Sequence, residues 1–399
     1  MKYLAILAAT AMPMVAFADP NPANWADVTA EAKGQTVYWN AWGGSTTTND
    51  FLAWVGSRVS EDYGVTLEHV KLTDTADAVT RVLAEKQAGE NDDGAIDMIW
   101  INGSNFAAMK EADLLFGPYA EQLPNWAFVD VEGKTVQTDF TVSIEGFESP
   151  WAMAQVVFVH DTADMPERLG SMQALLEWTK ANPGRFSYPQ PPDFLGTTFL
   201  KQVLVDILPD ASVLAAPATD ENYDEVTAPL WAYLDELTPN LWREGKAYPA
   251  TGTAMFPLIA DEELDLSISF SPGAASTAIA NYELPETVRT FVLDKGTIGN
   301  ASFVAIPYNS GSKAGAMVVA DFLMSPEAQA RAQDPAILGY GTVLNMDAIS
   351  AEERAVFDSL ELGIATLSPA DLGTVQAEPH SNWAVRIADD WASRYGVAQ

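Results

Sequence analysis

Glycines followed by hydroxyl or amide side chains occur directly after two predicted strands. Trp42–Ser45 follows one of these strands, and Asn102–Ser104 follows the other. Glycine lets backbone amides approach a ligand closely, whereas serine and asparagine side chains supply uncharged hydrogen bonds. The same residues are also common in ordinary turns and helix caps. Because ligands of open parallel sheets bind beyond the carboxyl ends of the strands, the placement of both segments favours a binding site.

Two further segments combine aromatic side chains with amides or carboxylates. Glu148–Gln155 contains Trp151 and precedes an apolar strand. Tyr188–Thr197 is a proline-rich loop that enters a helix, and it contains Asp193 and Phe194. An aromatic ring beside such groups is typical of a ligand wall, but a buried tryptophan is equally typical of a core. Both interpretations stay open at this point.

Motifs of catalysis are scarce in this chain. Ser310–Lys313 has the serine-lysine spacing of penicillin-interacting enzymes, but the companion Ser-Asp-Asn and Lys-Thr-Gly elements are missing and the segment fits a helix start. His69, His160 and His380 lie far apart, without the spacing of metal ligands. The chain has no cysteine, which excludes disulfides, thiolate metal sites and cysteine nucleophiles. We therefore expect no catalytic residue, no metal and no cofactor.

The elements that must position these segments alternate between strand and helix. In the first part of the chain, strands are predicted at 36–40, 65–70 and 96–101, and helices at 49–63 and 74–88. Such alternation indicates an α/β fold with a parallel sheet. A second unit is built in a similar way, with predicted strands at 156–160, 264–270 and 302–307 and predicted helices at 171–182, 196–208, 226–237, 313–324, 352–362 and 383–395.

The N-terminus has the pattern of an export signal. Lys2 is followed by the short apolar stretch Tyr3–Ala11 and by the small-residue cleavage site Ala16-Phe17-Ala18. The apolar stretch is shorter than the ~20 residues of a membrane-spanning helix, so we expect cleavage before Asp19 and release of the mature chain. Because no cysteine is present to carry a lipid anchor, the periplasm of a Gram-negative cell is the expected location.

Charge excludes several kinds of partner. The 399 residues include 21 basic and 55 acidic side chains, which give a formal net charge of −34. A field of this sign repels nucleic acid and anionic membrane surfaces.

The length of the chain suggests two or three domains at ~100–200 residues each.

Longer segments resemble a known family. They include TVYWNAWGG, VTLEHVKLTDTADAVTRVLAEK, IDMIWINGSNFAAMKEADLLFGP, ANPGRFSYPQPPDFLGTTFL, SFSPGAAS and NASFVAIPYNSGSKAGAMVVADFLMSPEAQA. In these segments the chain resembles the extracellular solute-binding proteins of bacterial ABC importers, family 1, and within them the YnjB-type branch. The resemblance extends over nearly the whole mature chain.

The resemblance implies a two-lobed, type II-like periplasmic-binding-protein fold with a ligand cleft between α/β lobes. Lobe one would comprise residues 19–149 and 302–399, and lobe two residues 150–301. The chain would capture a small solute by hinge closure and deliver it, as a monomer, to an inner-membrane permease. The candidate ligand contacts are Trp42, Gly43, Gly44, Ser45, Asn102, Gly103, Ser104, Trp151, Gln155, Asp193, Phe194, Thr197, Ser271 and Asn300.

The nominated loops also predict the class of solute. They offer aromatic rings, neutral hydrogen bonds and Asp193, but no arginine or lysine, which phosphate or carboxylate ligands usually recruit. A neutral or cationic solute with a ring portion is therefore expected, with thiamine-like cations first and small sugars second. The alternative is a periplasmic hydrolase or lyase that uses two carboxylates, for which Glu145, Glu148 and Asp193 are candidates.

Overall fold

The computed structural model describes residues 19–368 and 370–397, so the predicted signal sequence, residues 1–18, lies outside the described residues. Within those ranges, no helix has both the length and the apolar composition needed to cross a membrane. Each helix and strand predicted in the mature chain overlaps an observed element.

The described residues form helices and strands as follows. The helices are α1 (Trp25–Ala32), α2 (Thr46–Tyr63), α3 (Thr75–Ala88), α4 (Ser104–Glu111), α5 (Met172–Ala181), α6 (Phe194–Ile207), α7 (Tyr223–Leu237), α8 (Met255–Ala260), α9 (Ala274–Ala280), α10 (Lys313–Leu323), α11 (Pro326–Gln333), α12 (Ala351–Asp358) and α13 (Ser381–Tyr395). The strands are β1 (Thr36–Trp42), β2 (Thr66–Leu72), β3 (Met98–Ile101), β4 (Thr138–Asp139), β5 (Val142–Ser143), β6 (Glu148–Gln155), β7 (Val157–Asp161), β8 (Leu266–Ser269), β9 (Val288–Phe291), β10 (Thr297–Ala305) and β11 (Val375–Gln376).

Helix α2 shows how local sequence sets these bounds. The Ser45 side chain accepts a hydrogen bond from the backbone N–H of Thr48 and so caps the first turn. Gly64 ends the helix in the left-handed region, with φ 71°, where glycine has no steric penalty. Phe51 and Val55 lie on the buried face at helical spacing, as the sequence predicts.

The larger sheet has six strands and is only partly parallel. Its order is β11-β10-β3-β1-β2, with β6 paired to the other side of β10. Strand β1 is parallel to β2 and β3, as the alternating pattern predicts, so the loops after β1 and β3 leave the same edge of the sheet. Strand β10 is antiparallel to both β3 and β6. The smaller sheet, β8-β7-β9, is antiparallel throughout and does not repeat the parallel arrangement predicted from the first unit.

Buried side chains form two separate cores, one for each lobe. The first core takes side chains from Val28 to Ala152 and from Ala301 to Phe357. The second takes side chains from Val156 to Ile298 and from Ala365 to Trp391. The chain therefore passes between the lobes in β6, in β10 and again after α12.

The third passage differs from the predicted division, which assigned all of residues 302–399 to lobe one. Trp383, Ile387 and Trp391 recur every four residues along α13, and all three are buried in the second core. Trp391 packs edge-on against Tyr248 at 5.0 Å and donates a hydrogen bond to the Tyr188 hydroxyl. The apolar pattern of α13 was visible in the sequence, but the lobe against which it packs was not.

We expect substitution of Trp391 by alanine to destabilise the second lobe. Removal of a large buried aromatic side chain costs ~3–5 kcal/mol of unfolding free energy. Val385 on the same helix is 46% exposed and provides the matched control, for which Val385→Ala should cost about 0.5 kcal/mol or less. Urea unfolding followed by circular dichroism measures both, and equal losses in the two variants would contradict the packing of α13 in this core.

Candidate ligand site between the lobes

A two-residue hairpin turn places an aromatic ring between the lobes. Strands β4 and β5 are joined by Phe140 and Thr141, whose φ angles of 44° and 72° are both positive. Such turns usually contain asparagine or glycine, and a β-branched residue in this region is a genuine outlier. The Phe140 side chain is nevertheless only 5% exposed. Strained backbone of this kind is typical of ligand clamps and persists where the surroundings hold it in place.

Asp139 holds the hairpin against the end of β3. Its carboxylate accepts hydrogen bonds from the Gly103 backbone N–H and from the Asn102 amide. Burial raises the pKa of Asp139 from 3.8 to about 7, because these two hydrogen bonds only partly offset the loss of water. Gly103 also has to be glycine, since a Cβ there would lie 2.9 Å from the Phe140 ring. The Asn102 amide donates a second hydrogen bond, of 2.8 Å, to the Ala301 carbonyl of β10.

Helix α6 contributes the side of the site that belongs to lobe two. Phe194, Thr197 and Lys201 share one face of this helix because they are three and four residues apart. The Phe194 ring is 46% exposed and lies 6.3 Å from the Phe140 ring, which comes from lobe one.

Lys201 is a fully buried lysine at the centre of the site. Its ammonium lies 2.5 Å from Glu378 Oε2, 4.3 Å from the centroid of the Phe140 ring and 5.5 Å from that of Phe194. Glu378 also accepts a hydrogen bond of 3.1 Å from the Asn300 amide of β10. Burial raises the pKa of Glu378, and the nearby Lys201 ammonium opposes this rise.

These side chains define what we call the inter-lobe cluster, which comprises Asn102, Asp139, Phe140, Phe194, Lys201, Asn300 and Glu378. The cluster contains two carboxyl groups and one ammonium, and its formal charge becomes negative only above about pH 7, where Asp139 ionises. Phenylalanine rings add negative faces that attract cations. The arrangement can therefore bind a cationic or polar group, with rings on one side and carboxylate or amide oxygens on the other.

The structure brings five of the residues predicted from the sequence to this cluster. Asn102, Phe194 and Asn300 belong to it, Gly103 contacts Phe140, and Thr197 shares the α6 face.

The loop after β1 leaves the same sheet edge but makes different contacts. The Trp42 ring lies over the backbone of Gly44, while Gly43 packs against Lys71 of the neighbouring strand. Ser45 is the cap of α2. Ser104 is exposed at the first position of α4.

Trp151 lies in the first core and has no exposed surface. Its ring stacks on Phe51 at 6.0 Å and meets the edges of Trp39 and Trp100. Trp151 is therefore a core residue, which is one of the two interpretations that the sequence left open.

Gln155, Asp193 and Ser271 are engaged in structural contacts. The Gln155 amide donates to Thr297 and to the Leu372 carbonyl, next to the crossing of β6. Asp193 caps α6 by accepting from the backbone N–H groups at the start of the helix. Ser271 lies in a loop whose Gly273 packs directly on Gly339.

The three carboxylates of the hydrolase alternative do not share a site. Glu145 pairs with Lys110 at 3.1 Å and is mostly exposed. Glu148 has no exposed surface, and neither of its oxygens has a hydrogen-bond partner among the described residues. Because Asp193 serves as a helix cap in lobe two, the arrangement does not support a carboxylate pair across a cleft.

Among the residues that the structure describes, no group of three His, Cys, Asp or Glu side chains is placed to hold a metal ion.

Sequence reasoning missed four residues of the cluster, namely Asp139, Phe140, Lys201 and Glu378. Only Lys201 carried a usable signal, because it continues the helical face of Phe194 and Thr197. Phe140 lies in a turn without glycine or asparagine. Glu378 reaches the site from the far end of the chain, through the pairing of β11 with β10.

Comparisons with known proteins agree with this architecture. A family model described as a bacterial extracellular solute-binding protein matches residues 54–348. Protein YnjB of Escherichia coli strain K12 is 44% identical over 374 residues, which cover 94% of each chain.

Solved structures confirm the predicted two-lobed α/β fold. The periplasmic binding protein AfuA of Actinobacillus pleuropneumoniae, with fructose-6-phosphate bound, gives a TM-score of 0.63 at 13% identity, over 91% of this chain and 99% of that one. The spermidine/putrescine ABC transporter substrate-binding protein PotD of Streptococcus pneumoniae gives 0.56 at 15% identity, over 84% of this chain and 93% of that one. Similarity at these identities concerns the fold alone.

We expect the stability of the protein to fall as pH rises through the titration of Asp139. The native state keeps the Asp139 proton up to about pH 7, whereas the unfolded chain releases it near the ordinary value of 3.8. The native state then binds more protons than the unfolded state, and each pH unit in this window costs up to about 1.4 kcal/mol.

The comparison of wild type with Asp139→Asn isolates this contribution, since asparagine does not titrate. Urea unfolding from pH 5 to pH 8 should show a flatter decline of stability for this variant. The control, Glu121→Gln at an exposed site, should keep the wild-type slope. Parallel slopes for wild type and Asp139→Asn would contradict the raised pKa.

Proposed function

The chain belongs to the bacterial extracellular solute-binding proteins, and we propose that it captures a small organic cation, or a neutral solute with a ring, in the inter-lobe cluster. The observation that carries this proposal is the Phe140 ring, which already has an ammonium group 4.3 Å from its centroid and a carboxylate, Glu378, beside that ammonium. Aromatic faces combined with a carboxylate are the usual means by which proteins recognise organic ammonium groups.

Both lobes contribute to the cluster, which supports capture by closure. Phe140 and Asn102 come from lobe one, whereas Phe194 and Lys201 come from lobe two. A solute held between them gains contacts with both lobes only when the lobes meet, so binding favours the closed arrangement.

The ligands of proteins with similar folds do not decide the class of solute. AfuA holds a sugar phosphate and PotD is described as a spermidine/putrescine protein, although the two share their fold with this chain. The faces of the Phe140 and Phe194 rings favour a cation over an anion, and Asp139 adds a second negative charge only above about pH 7, where it ionises. Thiamine-like cations are therefore the first candidates and small sugars the second.

The last step of the proposed role is the delivery of the solute to a permease. The captured solute passes, chemically unchanged, from a monomeric binding protein to the permease of an ABC importer in the inner membrane. The chain reaches the periplasm through an N-terminal signal that is cleaved after Ala18. The Asp19 carboxylate, at the proposed mature start, pairs with the Lys313 ammonium of α10 at 2.6 Å.

A ligand screen tests the class of solute. Thermal shift and calorimetry with thiamine, choline, glucose, succinate and glycerol phosphate should show stabilisation by the organic cations first. Mass spectrometry of the recovered compounds should find them unchanged. Stabilisation by succinate or glycerol phosphate alone would refute the proposed class, and a converted compound would refute the proposed role.

Substitution of Phe140 by alanine should weaken binding of the preferred cation. The loss of one aromatic face corresponds to ~0.5–2 kcal/mol, or roughly 2- to 30-fold in the dissociation constant. Tyr282→Ala provides the control, since this tyrosine is 97% exposed on a turn of lobe two and should leave affinity unchanged. Calorimetry measures both variants, and equal affinities would place the solute elsewhere.

Processing of the precursor tests the export signal. N-terminal sequencing of protein from the periplasmic fraction should begin at Asp19, with the sequence Asp-Pro-Asn-Pro. Ala16→Phe places a large side chain at the cleavage site and should leave the longer precursor uncleaved. A mature chain that keeps Met1 would contradict the proposed location.

A further inference from the structure

Lys201 is unusual among the lysines of the chain in being 1% exposed. An ammonium group has three donors, and Glu378 is its one hydrogen-bond acceptor among the described residues. The centroids of the Phe140 and Phe194 rings lie 4.3 and 5.5 Å from the ammonium, and its charge also acts on Asp139. We call the Glu378 carboxylate and these two rings the enclosure of the ammonium.

Stability alone does not account for this arrangement. The desolvation of two buried charges largely cancels their attraction, and a buried ion pair is often no more stable than an apolar pair of similar volume. Lys201 belongs to α6, and Glu378 lies between β11 and α13, which packs against α6. Phe140 comes from lobe one, so the enclosure around the ammonium is complete only where the lobes meet.

We propose that the Lys201 ammonium competes with the cationic group of the solute for Glu378 and the Phe140 ring. This inference rests on the function proposed above. Two ammonium groups within a few ångströms repel each other, so a cationic solute has to displace the lysine. The four-carbon stem of lysine is flexible, and the half-exposed Phe194 marks the side on which the cluster opens. Competition of this kind selects solutes that replace both the hydrogen bond to Glu378 and the contact with Phe140.

The variant Lys201→Met tests the competition, because methionine keeps a long apolar side chain and removes the charge. Calorimetry with thiamine and choline should show binding that is roughly 2- to 30-fold tighter than in wild type, the range of one cation–aromatic contact. Lys180→Met is the matched control: Lys180 pairs with Glu177 and Glu236 on the surface of the same lobe, and its loss should not change affinity.

If Lys201→Met fails to fold, a spectroscopic measurement on the wild-type protein still tests the displacement of Lys201. Nuclear magnetic resonance of lysines labelled at Cε should show one methylene signal shifted by the Phe140 ring, identified by its loss of shift in Phe140→Ala. Addition of thiamine should return this signal to the position of an ordinary lysine. A ring-shifted signal that persists at saturation would overturn the displacement.

The outcomes separate the two proposals. Thiamine or choline binding that is equal or weaker in folded Lys201→Met than in wild type would overturn the competition and leave the proposed class of solute standing. Binding of a cation by Lys201→Met but not by wild type would refute both proposals, because wild type would then bind no cation that displaces the lysine. Binding of glycerol phosphate or succinate by wild type, lost in Lys201→Met, would refute both proposals, because Lys201 would then be the contact for an anion.

Discussion

Strand β10 is the constraint on which the rest of the structure depends. All nine of its residues are buried, so its backbone N–H and C=O groups have to be satisfied by protein partners on both sides. It pairs with β6 along most of its length, with β3 at one end and with β11 at the other. Its Ile298 end lies in the second core and its Phe303 end in the first. Any arrangement of the two lobes has to preserve this shared strand or bend it.

The candidate site follows from the same pairing. In the parallel ladder of β11 and β10, Gln376 lies opposite Ile298, so Glu378 comes to lie beside Asn300, two residues further along each chain. One residue further along β10, the Asn102 amide donates to the Ala301 carbonyl. The Ile298 N–H donates to Gln202 of α6, the neighbour of Lys201. Three distant parts of the chain therefore meet at the middle of one strand.

Because charged groups are buried at this site, recognition of a solute depends on the conformation of the two lobes. Asp139, Glu378 and Lys201 are all buried, and such groups persist in a low-dielectric region only with nearby partners. Those partners come from both lobes and from a hairpin whose turn residues have positive φ angles. A movement of the lobes that separates Phe140 from α6 exposes these charges to water, and one that brings them together removes the water. The free energy of solute binding therefore includes the free energy of closing the lobes.

The sequence by itself determined the elements and the general architecture. Periodicity and caps gave α2, α6 and α13, because apolar spacing and cap residues act within a few residues of each other. Alternation of strand and helix gave the parallel pairing of β1 with β2 and β3 and the common edge at which Asn102 lies. Residue type alone could not distinguish the core position of Trp151 from a ligand wall, because a tryptophan suits both. Only the tertiary structure decided that α13 packs in the second lobe and that Glu378, Lys201 and Phe140 converge. These contacts join residues 61 or more positions apart in the chain, and they depend on strand register and on a strained turn that no local pattern encodes.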